Sequence, residues 1–98
     1  MIAEIQVLPS PPGTEADRWS HVEAAIALIE TSGLRYEVGP LGTSVEGEPD
    51  EVWALLRLAH EAVLAAGADG VVTVIKVEQT ADAARQPTIG DLVDKFRP

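Results

Sequence analysis

The stretch Gly33-Leu34-Arg35-Tyr36-Glu37-Val38-Gly39-Pro40-Leu41-Gly42-Thr43-Ser44-Val45-Glu46-Gly47 constrains the fold most. Leu34, Tyr36 and Val38 alternate with Arg35 and Glu37, the period of two that a strand with one buried face requires. Gly39-Pro40 breaks the run, because proline has no ladder donor and glycine tolerates positive φ, so a turn is expected there. A second alternation follows at Leu41, Thr43 and Val45. Each strand of this hairpin adjoins a long helical pattern, and each helical pattern leads to a further strand near one end of the chain.

Ile2 to Leu8 reads as the first strand, with Ala3, Ile5 and Val7 on one face and Glu4 and Gln6 on the other. Pro9-Ser10-Pro11-Pro12-Gly13 is expected to end it as a stiff loop leaving the sheet edge. Thr14-Glu15-Ala16-Asp17 has the spacing of a capping box and places the start of a helix near Thr14 or Asp17. That helix is expected to run to Ser32, capped by Gly33, with Val22, Ala25, Ile26 and Ile29 as its buried stripe and Trp19 and Leu28 off it.

Glu48-Pro49-Asp50-Glu51 opens the second helix: proline at a first helical position sacrifices no hydrogen bond, and acidic residues complement the positive end of the dipole. Val52, Leu55, Leu56, Ala59, Ala62, Val63 and Ala66 form its core stripe, and Gly67 ends it. Val71 to Val77 reads as a last strand, apolar on both faces for most of its length. With two helices on one side of a single sheet, the other face of that strand meets water unless a second copy covers it. Gln79 to Pro87 is polar without a clear period and reads as a mobile connection. Thr88-Ile89-Gly90-Asp91 is expected to cap a short final helix carrying Leu92, Val93 and Phe96 on one side.

Two strand-helix-strand units with right-handed crossovers put the first strand of each half in the middle of the sheet. The expected fold class is therefore α+β: a ferredoxin-like βαββαβ arrangement over residues 1–98, a single domain. It has a four-stranded antiparallel sheet, two helices on one face and a short C-terminal helix. Residues are 46% hydrophobic and 23% charged, which argues for a packed core rather than disorder. The formal charge of −9 would repel a phosphate backbone, so nucleic acid is not an expected partner. The chain has no cysteine, which excludes disulfides and thiolate zinc sites. Met1 to Val7 lacks the basic start and apolar core of a secretory signal, and no window approaches the roughly 20 apolar residues that span a bilayer. A cytoplasmic location with no membrane partner is the expectation.

Catalytic chemistry finds little support. His21 and His60 lack a metal-ligand spacing and are expected at solvated helix positions, so no metal site is assigned. No Gly-x-Ser-x-Gly motif marks a nucleophile, and Gly39, Gly42 and Gly47 match no phosphate loop. Glu48, Asp50 and Glu51 are accounted for by the helix N-terminus, whereas Glu46 precedes Gly47 at a strand end from which a carboxylate can point into a cleft. Trp53, Arg57, His60 and Leu64 form a second stripe suited to subunit packing. Tyr36 could stack on an aromatic ligand, and Ser10, Thr43 and Ser44 offer hydroxyls for a flat heterocycle.

Taken together, Ser32 through Thr43, Glu46-Gly47-Glu48, Asp50-Glu51-Val52, His60-Glu61-Ala62-Val63 and Val72-Thr73-Val74-Ile75-Lys76 resemble the thiamine-binding protein family of the YkoF-like superfamily. The resemblance implies a small subunit that pairs sheets with copies of itself, as a homodimer or homotetramer, and binds thiamine or its hydroxymethylpyrimidine part without transforming it. It places Gly42-Thr43 and Glu46-Gly47 nearest the ligand. The expected ligand-binding set is thus Ser10, Tyr36, Gly42, Thr43, Ser44 and Glu46, with no catalytic residue and no cofactor. Two alternatives stay open: a cofactor-free ferredoxin-like monooxygenase, or a structural oligomerisation module without a ligand.

Overall fold

Alternation of small or branched apolar residues with polar ones carries β1 over Ile2–Ser10, longer than the sequence predicts. The computed structural model describes residues 1–98. After β1 come α1 (Ser20–Glu30), β2 (Arg35–Val38), β3 (Thr43–Glu46), α2 (Pro49–Ala65), β4 (Gly70–Glu78) and α3 (Ile89–Val93). The sheet order is β2-β3-β1-β4 with every neighbouring pair antiparallel, so the fold is the ferredoxin-like one. β3 pairs with β1 only from Ile2 to Ile5, whereas β4 follows β1 along its whole length, from Ile2↔Glu78 to Ser10↔Gly70.

Pro9 therefore sits inside a strand, contrary to the expected break. The Ser10 carbonyl accepts from the Asp69 N–H at 2.8 Å, so Ser10 turns its main chain toward β4 and its neighbour Pro9 turns away from it. The nitrogen that cannot donate thus meets no partner strand, the one place in a sheet where proline costs nothing.

Ala3, Ile5, Val45, Ala25, Ile29 and the α2 stripe Val52, Leu55, Leu56, Ala59 and Val63 make the core between the sheet and the two helices. α2 begins at Pro49 as the sequence predicts, and Gly33 and Gly67 follow the helices with φ of 83° and 118°, conformations that side chains resist. α1 differs from expectation: it starts at Ser20, because Thr14 Oγ1 accepts from the Asp17 N–H at 3.0 Å within a separate turn. Its inward line is His21, Ala25 and Ile29, with Leu28 packed beside the core. His21, expected in solvent, is only 3% exposed. The Pro11–Pro12 loop folds back over it: Nδ1 lies 2.7 Å from the Pro11 carbonyl, and the His21 and Val22 N–H groups donate to Pro12. His60 is also not free, with Nδ1 2.6 Å from Thr73 Oγ1.

The sheet face opposite α1 and α2 is divided. Over β2 and β3 lies α3, anchored by buried Ile89 rather than by Leu92 or Phe96, which stay exposed. Thr88 and Asp91 complete a capping box at its start. Over β1 and β4 the face is bare, and Val72 is 64% exposed with Val74 and Leu8 beside it.

The segment before α3 is tied down rather than loose. Glu78 accepts from the Gln86 amide at 2.5 Å and the Thr80 hydroxyl at 2.8 Å, while the Thr80 N–H donates to Gln86 at 2.8 Å. The Gln86 and Thr80 hydrogen bonds hold the Glu78 carboxyl below its ordinary range. A carboxyl that binds its proton less readily folded than unfolded contributes stability above the ordinary carboxylate range, and that contribution is lost as pH falls through the lowered folded value. The Gln86 side-chain amide resonance is therefore expected to titrate with a midpoint below that of a free glutamate; a midpoint at the free value would show the contact to be absent in solution.

Candidate functional site

A cleft of about 510 Å³ opens between α1, β1 and the tip of the β2–β3 hairpin. That volume lies in the range of small-molecule sites, roughly 300–1,000 Å³. Ile5, Val7, Ala25 and Ile29 make its apolar floor, Val22 and Ile26 its α1 wall, and Gly39 to Thr43 the opposite rim.

Local sequence explains this arrangement. Trp19, Val22, Glu23 and Ile26 recur at three- and four-residue spacing, so they share one face of α1. Glu23 donates its N–H to the Trp19 carbonyl at 2.9 Å, which joins Trp19 to the first turn of the helix. Trp19 is 50% exposed and carries the Arg18 guanidinium 5.0 Å from its ring centroid. On the hairpin side, the Gly39 N–H bonds the Gly42 carbonyl at 2.8 Å, and this closure ends β3 early and opens the cleft. A Cβ at Gly39 would stand 2.9 Å from that carbonyl, so the tight closure needs glycine there.

Of the six residues singled out from sequence, Gly42 and Thr43 line the cleft. Thr43 is 4% exposed and faces the core side of the sheet, opposite Ile5 and Val38. Tyr36 shares that inward side but packs against the core next to Val45 and is not part of the cleft wall. Ser44 and Glu46 alternate to the other face of the sheet. Glu46 holds the C-terminal segment: its Oε1 accepts from the Ile89 N–H at 3.1 Å and lies 3.6 Å from Arg35 Nε, while Arg97 pairs with Glu37 at 3.1 Å. Ser10 is exposed at the far end of β1.

Trp19, Glu23 and the main chain of β1 join the site without having been singled out. The signal for the first two was the Trp19–Glu23 spacing beside Val22 and Ile26. Glu23 is the single ionisable residue of the lining, which otherwise offers apolar surface, one indole, the Thr43 hydroxyl and main-chain groups. Such a slot accepts a flat organic molecule and favours a positive charge at its acidic edge.

The family model described as thiamine-binding protein matches residues 3–97. The chain belongs to the thiamine-binding protein family. A UPF0045 protein of Methanothermobacter thermautotrophicus is 40% identical over 85 residues, which cover 85% of this chain and 84% of that protein. Among solved structures, a domain of unknown function, DUF77, from Bacillus cereus superposes with a TM-score of 0.85 at 34% identity, covering 98% of this chain and 88% of that one. A Thermotoga maritima protein whose name links it to thiamine biosynthesis/salvage gives a TM-score of 0.76 at 25% identity, over 99% of this chain and 100% of that one. The fold of this thiamine-binding family member is thus common to bacterial and archaeal proteins, and no helix in it is long and apolar enough to cross a membrane.

Proposed function

We propose that this member of the thiamine-binding family binds thiamine, or its hydroxymethylpyrimidine part, in the cleft between α1 and β1 and does not transform it. Membership of the family together with a cleft of suitable size carries the reading. Trp19 supplies a face for an aromatic ring, Glu23 a counter-charge for the thiazolium, and Gly42 and Thr43 the hairpin rim. A single carboxylate in an otherwise uncharged lining suits holding a cation better than the paired acid and base that proton-transfer chemistry uses. Storage, sensing or delivery is the role that follows.

We further propose that the bare face over β1 and β4 is covered by a second copy. Val72, Val74 and Leu8 form an apolar surface there, and isolated soluble chains rarely leave such a patch in water. Native mass spectrometry of the purified protein incubated with thiamine reads both proposals together. Dimers or tetramers carrying one thiamine per chain are expected; a monomer without thiamine at millimolar ligand would contradict both.

A further inference from the structure

We infer that the free edge of β1 at Val7 is the hydrogen-bonding element of the cleft, and that its main-chain donor and acceptor select an aminopyrimidine ring. The inference rests on the thiamine-binding reading and adds to it the group that recognises the ligand. Met1 exchanges hydrogen bonds with Gly47 across the β1–β3 ladder: its ammonium donates to the Gly47 carbonyl at 3.0 Å and its carbonyl accepts at 3.1 Å. In an antiparallel strand the two main-chain groups of a residue point the same way and successive residues alternate. Met1, Ala3, Ile5, Val7 and Pro9 therefore turn toward β3, and Ile2 through Ser10 at even positions turn toward β4.

Continuing the register beyond Ile5↔Thr43 would set Val7 opposite Leu41. The hairpin closes first at Gly39–Gly42, and Leu41 swings out to 78% exposure. The N–H and C=O of Val7 are left without a strand partner, side by side, at a position that lines the cleft. Such groups call for a partner when water is displaced from them. A 4-aminopyrimidine offers a matching pair: its exocyclic amine donates to the Val7 carbonyl, and the adjacent ring nitrogen accepts from the Val7 N–H. An added peptide strand fits this edge poorly, because the next group along it belongs to Pro9, which has no N–H.

Amide hydrogen exchange on the full chain tests this. Without ligand, the Val7 amide is expected to exchange fast and the Leu8 amide, turned toward β4, slowly. Saturating thiamine should slow Val7 by about tenfold or more and leave Leu8 unchanged. The 4-oxo analogue of thiamine, in which donor and acceptor are interchanged, should bind about 30-fold more weakly. Val7→Pro, which removes the N–H without costing a ladder bond, should lose about tenfold in affinity relative to Val7→Ala. Thiamine binding with no protection at Val7 and equal affinity for the 4-oxo analogue would overturn the inference while leaving the binding function standing. No binding of either thiamine or hydroxymethylpyrimidine would overturn both. The exchange and analogue arms use the unaltered chain, so a Val7→Pro chain that does not fold leaves the test intact.

Discussion

Replacing Leu56 with alanine is expected to destabilise the fold by about 2–5 kcal/mol, the largest single effect foreseen for this chain. Leu56 sits on α2 with Val52, Leu55, Ala59 and Val63, buried where the helix meets the sheet. The cost has two parts: the apolar surface removed from its packed surroundings, and the cavity left when rigid neighbours do not collapse into it. A domain of this size has about 5–15 kcal/mol of total stability, so the variant should unfold at a much lower urea concentration with an unchanged slope. A loss below about 1 kcal/mol would show that this part of the core is not packed as described.

Trp19→Ala should have the opposite profile, with little change in stability and a loss of thiamine affinity of about 30-fold, close to 2 kcal/mol. Trp19 is half exposed, so truncation leaves no buried void, but it removes the one large aromatic face of the cleft. Glu23→Gln separates stacking from charge. It should weaken thiamine, whose thiazolium is cationic, and leave the neutral hydroxymethylpyrimidine almost untouched. Equal affinities of Trp19→Ala and the parent chain for thiamine would place the ligand elsewhere.

Much of the architecture was readable from the chain because local chemistry and tertiary role coincide. Pro49 starts α2, Gly33 and Gly67 end helices with positive φ, and the alternation of Leu34 to Val45 marks the hairpin. Readings failed where a residue's role depends on a distant segment. His21, expected in solvent, shares the inward line of Ala25 and Ile29 and is buried there as the Pro11–Pro12 loop returns to cover it. Pro9 looks like a strand breaker and is not one, because the pairing of β3 with β1 stops at Ile5↔Thr43 and leaves that side of β1 vacant. Glu46, expected to point into a cleft, does border a second, polar one of about 390 Å³, where it also holds Ile89 and Arg35.

The candidate site was legible in part for the same reason. Gly42 and Thr43 stand out in the hairpin motif, and they reach the cleft. Trp19 and Glu23 reach it because burial of His21, Ala25 and Ile29 turns the neighbouring Trp19-Val22-Glu23-Ile26 face of the helix along β1 past the end of β3. Nothing in side-chain identity announces an unpaired main-chain edge; it exists because two strands that share a register differ in length.

A crystal structure of the protein grown with thiamine tests the central claim most directly. Thiamine with its pyrimidine beside Val7, an aromatic ring on Trp19 and its thiazolium toward Glu23 is the predicted result. Thiamine seated instead beside Glu46, on the far face of the sheet, or a cleft still empty in a crystal that binds thiamine elsewhere, would contradict it.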